Sequence, residues 1–152
     1  MKYLLLVFLF IGCGTETGNP IQGGGLFQGG QVSLFTYRLA ESVCEKLIEC
    51  YDEVISVNDC IKEVEDIDGF DIALNLDSNY TDLNDIYIDE SGSVITSSST
   101  EAAQCITDIN ALSCSDSEVI NAFNSSSPND YSNTANIVPT NAGSCQDALS
   151  VN

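Results

Sequence analysis

Residues 31–51 read QVSLFTYRLAESVCEKLIECY, and this stretch decides the fold class. Val32, Phe35, Leu39, Val43, Leu47 and Cys50 recur at intervals of three and four, which lines one face of an α-helix. Glu41, Glu45 and Glu49 recur every four residues along another face, which reads as solvated surface. The pattern predicts a helix over 31–51. Cys44 and Cys50 lie six positions apart, about 120° around that helix, so the two thiols are expected to meet different partners.

The same signals recur further along. Ser56 reads as an N-cap with Asp59 three residues on, an approximate capping box. Val57, Cys60, Ile61, Val64 and Ile67 make the apolar stripe of a second helix. Antiparallel pairing about the intervening turn would bring Cys50 and Cys60 together, a link worth roughly 2–3 kcal/mol. Ser98-Ser99-Thr100-Glu101 is a Ser-x-x-Glu capping box ahead of Ala102, Cys105, Ile106, Ile109 and Leu112. Ser115-Asp116-Ser117-Glu118 repeats it ahead of Val119, Ala122 and Phe123, with Cys114 just before the cap. Cys60-Ile61-x-x-Val64 and Cys105-Ile106-x-x-Ile109 share a pattern that sets Cys and Ile on one buried face.

An acidic insert, 68–97, separates the second and third of these segments. Ile72, Leu74 and Leu76 alternate with other residues, as do Ile86 and Ile88, and Glu90-Ser91-Gly92-Ser93 reads as a turn. That predicts a β-hairpin over about 86–96. The tail, 125–152, is mostly Ser, Asn, Asp and Thr without a period, and is expected to be irregular and tied down by Cys145. The expected fold is mainly α: a small disulfide-stapled domain of about four helices over 31–124, carrying the insert, then the tail. Six cysteines allow fifteen connectivities. Cys50–Cys60 is favoured, with Cys44–Cys105 and Cys114–Cys145 completing the set.

Ahead of the domain the chain reads MKYLLLVFLFIGCGTETGNP over residues 1–20. Lys2 is a positive n-region, and Tyr3 to Ile11 is an apolar run of nine residues. A spanning helix needs about 20, whereas a secretory signal needs about 7–15. The run ends Leu9-Phe10-Ile11-Gly12-Cys13, which resembles the lipobox of bacterial lipoproteins. That resemblance implies that 1–12 are a lipoprotein signal peptide and that cleavage falls between Gly12 and Cys13. It also implies that Cys13 takes a diacylglyceryl group on sulfur and a fatty acyl chain such as palmitate on the new amino group. A thiolate is a good nucleophile for that alkylation, and the small Gly12 leaves the scissile bond open. The other reading is an ordinary signal peptide, with Cys13 a free thiol or a disulfide partner.

Cysteine arithmetic bears on this choice. The chain has 7 cysteines, and an odd count in an exported protein calls for a reason. With lipid on Cys13, there remain Cys44, Cys50, Cys60, Cys105, Cys114 and Cys145, an even set suited to three disulfides in an oxidising compartment. Residues 13–30 then form the lipidated cysteine and a glycine-rich tether, which at about 5–6 Å × √n holds the domain on the order of 20 Å from the bilayer. Stable anchoring takes more than one chain. Gly14 stands where some Gram-negative lipoproteins carry an aspartate that retains them in the inner membrane. The resemblance therefore implies the outer membrane, with the periplasmic or surface face left open.

The order of elements is also similar to a loose group of small cysteine-rich lipoproteins from predatory and social proteobacteria. The matching pieces are Cys44-Glu45-Lys46-Leu47-Ile48-Glu49-Cys50, Ser56 to Cys60, Cys105 to Cys114, Pro139 to Cys145, and Thr15-Glu16-Thr17-Gly18-Asn19-Pro20 after the lipid cysteine. The group implies placement in the cell envelope and no particular activity.

Charge and composition exclude several functions. Asp and Glu number 23 against 4 Lys and Arg, a net charge of -19. Past the signal, the cations are Arg38, Lys46 and Lys62. Sequence-independent nucleic-acid binding needs many such cations, and anionic lipid heads would repel this surface, so the membrane anchor must be covalent. The acidity serves solubility, or it attracts cations or a basic partner. With no histidine, the chain can build neither a Ser-His-Asp nor a Cys-His arrangement, nor a histidine-containing zinc site. There is no Cys-x-x-Cys, which argues against a thioredoxin-like role.

Asp77-Ser78-Asn79-Tyr80-Thr81-Asp82 begins like an EF-hand loop, then departs from it at Asp82, where glycine is needed, and at Ile88, where glutamate is needed. Asp82, Asp85 and Asp89 remain as an acidic set with no ligand geometry. Carboxylate pairs abound, but there is no tryptophan for a sugar platform. Tyr51, Tyr80, Tyr87 and Tyr131 are candidates for a binding surface. The expected function is that of a non-enzymatic, lipid-anchored envelope lipoprotein, a protein-binding or accessory module with no catalytic residue and no metal ligand. Its expected partners are the membrane, through the anchor, and another envelope protein, with no nucleic acid. Its expected cofactors are none beyond the acyl groups on Cys13. The alternative is a calcium-stabilised surface or adhesion module, and a third reading is an extracytoplasmic hydrolase using carboxylates.

Overall fold

The computed structural model describes residues 33–51, 55–77, 79–123, 130–140 and 143–152. The signal segment 1–12, the Gly12-Cys13 junction and the tether lie outside the described residues. Within them the chain is mainly helical, as the patterning predicts, with six α-helices and one two-stranded sheet.

Helix α1, Phe35–Tyr51, is the hub. Its stripe of Phe35, Leu39, Val43 and Leu47 is buried, along with Ala40 and Cys44. It packs against α2 (Val57–Val64), α4 (Leu83–Ser91), α5 (Ser99–Ala111) and α6 (Ser117–Ala122). The first N–H groups of a helix have no partner inside it. Here the Glu90 carboxylate, reaching across from α4, accepts from Phe35 N at 2.9 Å, Thr36 N at 2.9 Å and Thr36 Oγ1 at 2.6 Å. Glu90 is only 6% exposed. Negative charge at a helix N-terminus is favourable, and charge-assisted bonds are stronger than neutral ones.

The other end of α1 holds its neighbours. Lys46, 4% exposed, donates to Asn110 O at 3.1 Å and Leu112 O at 3.0 Å, the carbonyls left open where α5 ends. It also pairs with Glu49 at 2.7 Å. Cys50, one turn on, bonds to Cys114 just beyond the same helix end. Tyr51 donates to Val119 O at 2.8 Å and stacks on Phe123 with ring centroids 3.7 Å apart, tying α6 to α1.

The capping signals correspond to real helix starts. Ser56 accepts from Asp59 N and Ser98 accepts from Glu101 N. The third capping signal shifts by one residue, because α6 starts from Asp116, whose carboxylate reaches back to Ser113 N at 2.7 Å.

Three expectations are corrected. The insert holds no hairpin over 86–96. It forms α3 (Phe70–Ala73), α4 and strand β1 (Ile95–Ser97). Leu83, Ile86, Tyr87 and Glu90 occupy i, i+3, i+4 and i+7 on one buried face, so the apparent alternation at Ile86 and Ile88 belongs to a helix. The tail is not wholly irregular. It forms a 3-10 turn, Thr134–Ile137, and strand β2 (Leu149–Val151), which pairs antiparallel with β1 so that Ile95 faces Val151.

The third correction concerns the cysteines. The six expected ones do pair, but as Cys44–Cys60, Cys50–Cys114 and Cys105–Cys145, and none of the three expected pairings forms. Cys44 lies on the buried face of α1 against α2 and so takes Cys60, while half-buried Cys50 is turned toward the end of α5. Cys145 does tie the tail down, through α5. On the chain-entropy model the Cys50–Cys114 link, at sequence separation 64, is worth about 4 kcal/mol, against about 3 kcal/mol for Cys44–Cys60 at separation 16.

Two outcomes follow from these contacts. Glu90→Ala strands two backbone donors and a threonine hydroxyl, and is expected to lower unfolding free energy by roughly 2–4 kcal/mol, with Glu90→Gln losing less. Urea unfolding measures it, and an alanine variant within about 0.5 kcal/mol of wild type would refute the role of the cap. Under mild thiol reductant, Cys50–Cys114 should open first, because Cys114 is exposed while Cys44, Cys60, Cys105 and Cys145 are fully buried. Timed alkylation with mass spectrometry reads the order, and simultaneous opening of all three would contradict it.

Candidate functional site

A cleft of about 460 Å³ opens where α3, α6 and the 3-10 turn meet. Local sequence explains each wall. The chain enters α3 through Gly69, whose φ of 98° lies in the left-handed region that glycine adopts without steric cost. A Cβ there would sit 3.5 Å from Ala135 Cβ, so α3 and the turn approach closely. Helix α6 buries Val119 and Ala122 and thereby turns Glu118 and Asn121 toward the cleft. The turn is pinned by Ile137 and Val138, both buried. Ala73, Ala135 and Val138 form an apolar floor, and Asn136 Nδ2 reaches Asn121 O at 3.4 Å between two walls.

Charge and exposure set the character of the rim. Asp68, from the segment before α3, and Glu118, from α6, both line the cleft. Among the described residues no Lys or Arg lies within ion-pair distance of either; the ion pairs formed are Lys46 with Glu49 and Lys62 with Asp59. Ile72 is 77% exposed, although it is a large aliphatic side chain. It lines the cleft and also a second depression, which adds Asp71, Tyr80 and Thr81.

The carboxylates singled out for calcium are occupied within the chain. Asp77 accepts from Asn79 N at 2.9 Å, a local turn bond. Asp82 caps α4 by accepting from Asp85 N, Asp85 accepts from Thr81 Oγ1 at 2.8 Å, and Asp89 accepts from Tyr80 OH at 3.1 Å. Among the described residues, no three histidine, cysteine or acidic side chains gather where they could hold a metal ion. The four tyrosines are packing residues. Tyr80 and Tyr87 are buried, and Tyr51 and Tyr131 are half-buried against the core. The Asp59 carboxyl is held below its ordinary value by hydrogen bonds from Lys62 and Ser56. Asn121, Asn133 and Asn136 of the cleft carry no sequence signal, because polar residues without a period read as loop.

No described helix is long and apolar enough to cross a membrane. No protein-family model matches the chain, and no curated protein and no solved structure is similar to it.

Tyr80 gives a pH dependence whose sign is fixed. Burial first, then the Asp89 hydrogen bond and the charges of Asp89 and Asp77, raise its folded pKa above the ordinary 10.0. The protonated form therefore contributes stability that is fully present below the unfolded value and is lost as pH rises through the folded one. Unfolding free energy should decline above about pH 10, and Tyr80→Phe should flatten that decline while costing about 1 kcal/mol at neutral pH. Denaturant unfolding across this range, with tyrosinate absorbance, checks it. An unchanged slope in the phenylalanine variant would exclude Tyr80 as a contributor.

Proposed function

We propose that the chain is a non-enzymatic envelope lipoprotein, anchored by lipid on Cys13 and acting as a protein-binding or accessory module. One observation carries the reading: the three disulfides use all six cysteines of the domain, so the seventh, Cys13 at the end of the apolar run, is left over for another chemistry. Cys13, preceded by the small Gly12 and a nine-residue apolar run, resembles the lipobox at which bacterial lipoproteins take lipid, and its thiolate would be a good nucleophile for that alkylation. The use of the insert carboxylates as caps and turn acceptors supports a structural rather than a catalytic role for them. The acidic surface fits a partner that is not an anionic lipid or a nucleic acid. Outer-membrane placement follows the resemblance at Gly14.

Expression of the full chain in a Gram-negative host with an alkyne-tagged palmitate tests the anchor. The mature N-terminal peptide is expected to begin at Cys13 with diacylglycerol on sulfur. Cys13→Ser is expected to lose the label and to keep residues 1–12. A mature protein that starts elsewhere, with an alkylatable thiol at Cys13, would overturn the proposal.

A further inference from the structure

We propose that the cleft between α3, α6 and the 3-10 turn docks an extended segment of a partner protein that carries a Lys or Arg beside an aliphatic residue. This rests on the protein-binding reading above and names the surface that performs it. The cleft volume of about 460 Å³ falls in the range of specific sites. Its carboxylates, Asp68 and Glu118, come from two different walls and have no cationic partner among the described residues. Helices α3 and α6 have 4 and 6 residues, and even a long helix offers only about half a unit of positive charge at its N-terminus. The two carboxylates therefore keep a net negative potential in the cleft, which no described Lys or Arg of this chain of net charge -19 neutralises, so a cation supplied by a partner would complement it.

The rest of the lining narrows the ligand. A bare inorganic ion would not use the exposed Ile72 or the floor of Ala73, Ala135 and Val138. A Lys or Arg side chain uses both features, because its methylene stem covers apolar surface while its head group reaches carboxylate. Asn121, Asn133 and Asn136 line the same cleft, and each amide both donates and accepts, as an extended peptide backbone demands. Anionic partners are excluded by the charge.

The test uses the full, lipid-processed chain in neutral detergent, labelled and applied to an array of short random-sequence peptides. Selected peptides are expected to be enriched in Lys or Arg next to Leu, Ile or Val. Affinity for the strongest should fall at least about tenfold in an Asp68→Asn/Glu118→Gln double variant and, independently, in Ile72→Ser. Glu45→Gln/Glu63→Gln removes the same charge from exposed positions elsewhere and should change little. Equal loss in both charge variants would reduce the effect to net-charge attraction and overturn the proposal. So would an absence of cationic preference, or displacement of the peptides by a free polyamine at equal cation concentration. Mass analysis of lipid on the wild-type chain separates the two readings: failed peptide selection by a lipidated chain sinks the cleft alone, and retained selection with no lipid on that chain sinks the anchor alone.

Discussion

A buried carboxylate at the start of α1 organises the rest of the molecule. Taking the charge of Glu90 out of water is costly unless donors surround it. Three donors do, and all belong to the first turn of α1. The bond fixes α4 against α1, and α4 leads within a few residues to β1, so the strand reaches a set position. There the tail closes on it: Asn152 N bonds Val94 O at 3.0 Å and Ser98 N bonds Ala148 O at 2.8 Å. The contact thus orders the insert directly and the last strand at one remove.

Lys46 is the counterpart at the far end. Lys46 and Cys50 are four residues apart on α1 and so lie one above the other. Both meet the segment where α5 ends, one through carbonyls and one through a disulfide. A charge and a covalent bond therefore secure the same junction. The consequence reaches the surface. With Lys46 buried in this role and Lys62 paired locally on α2, little positive charge remains to offset the carboxylates outside. The acidic exterior is thus partly a product of how the interior is held.

Much of this was legible in the sequence. The stripe from Phe35 to Leu47 and the caps at Ser56 and Ser98 are local patterns, and local patterns fix helices. What failed was non-local. Glu90 lies on the buried face of α4, and a charged residue there disguises the i, i+3, i+4, i+7 pattern, so Ile86 and Ile88 looked like a strand. Asp82, the cap of α4, stands in sequence only as the residue that breaks an EF-hand pattern and as one of an acidic set, because an aspartate oxygen serves a cap or a cation equally well. The disulfide set followed from counting, but the pairing depends on which face of α1 meets which helix. The 120° between Cys44 and Cys50 said only that their partners differ. The cleft was invisible because its walls come from stretches far apart in sequence.

The placement of the disulfides bears on how that cleft works. None of the three bonds reaches α3 or the 3-10 turn. Helix α6 is held firmly, with Cys114 just before it and the Phe123 stack just after it. The α3 wall rests on burial of Phe70 and Ala73 and on the close approach of Gly69 to Ala135. Gly69 is the decisive position on that wall. Its left-handed turn joins Asp68 to the first turn of α3, and so sets the carboxylate on the same rim as Ile72. Any side chain at 69 would strain that backbone wherever its Cβ found space. The pairing of a negative charge with an exposed aliphatic group, which gives the cleft its chemical character, is therefore a property of the backbone at one glycine rather than of the core around it.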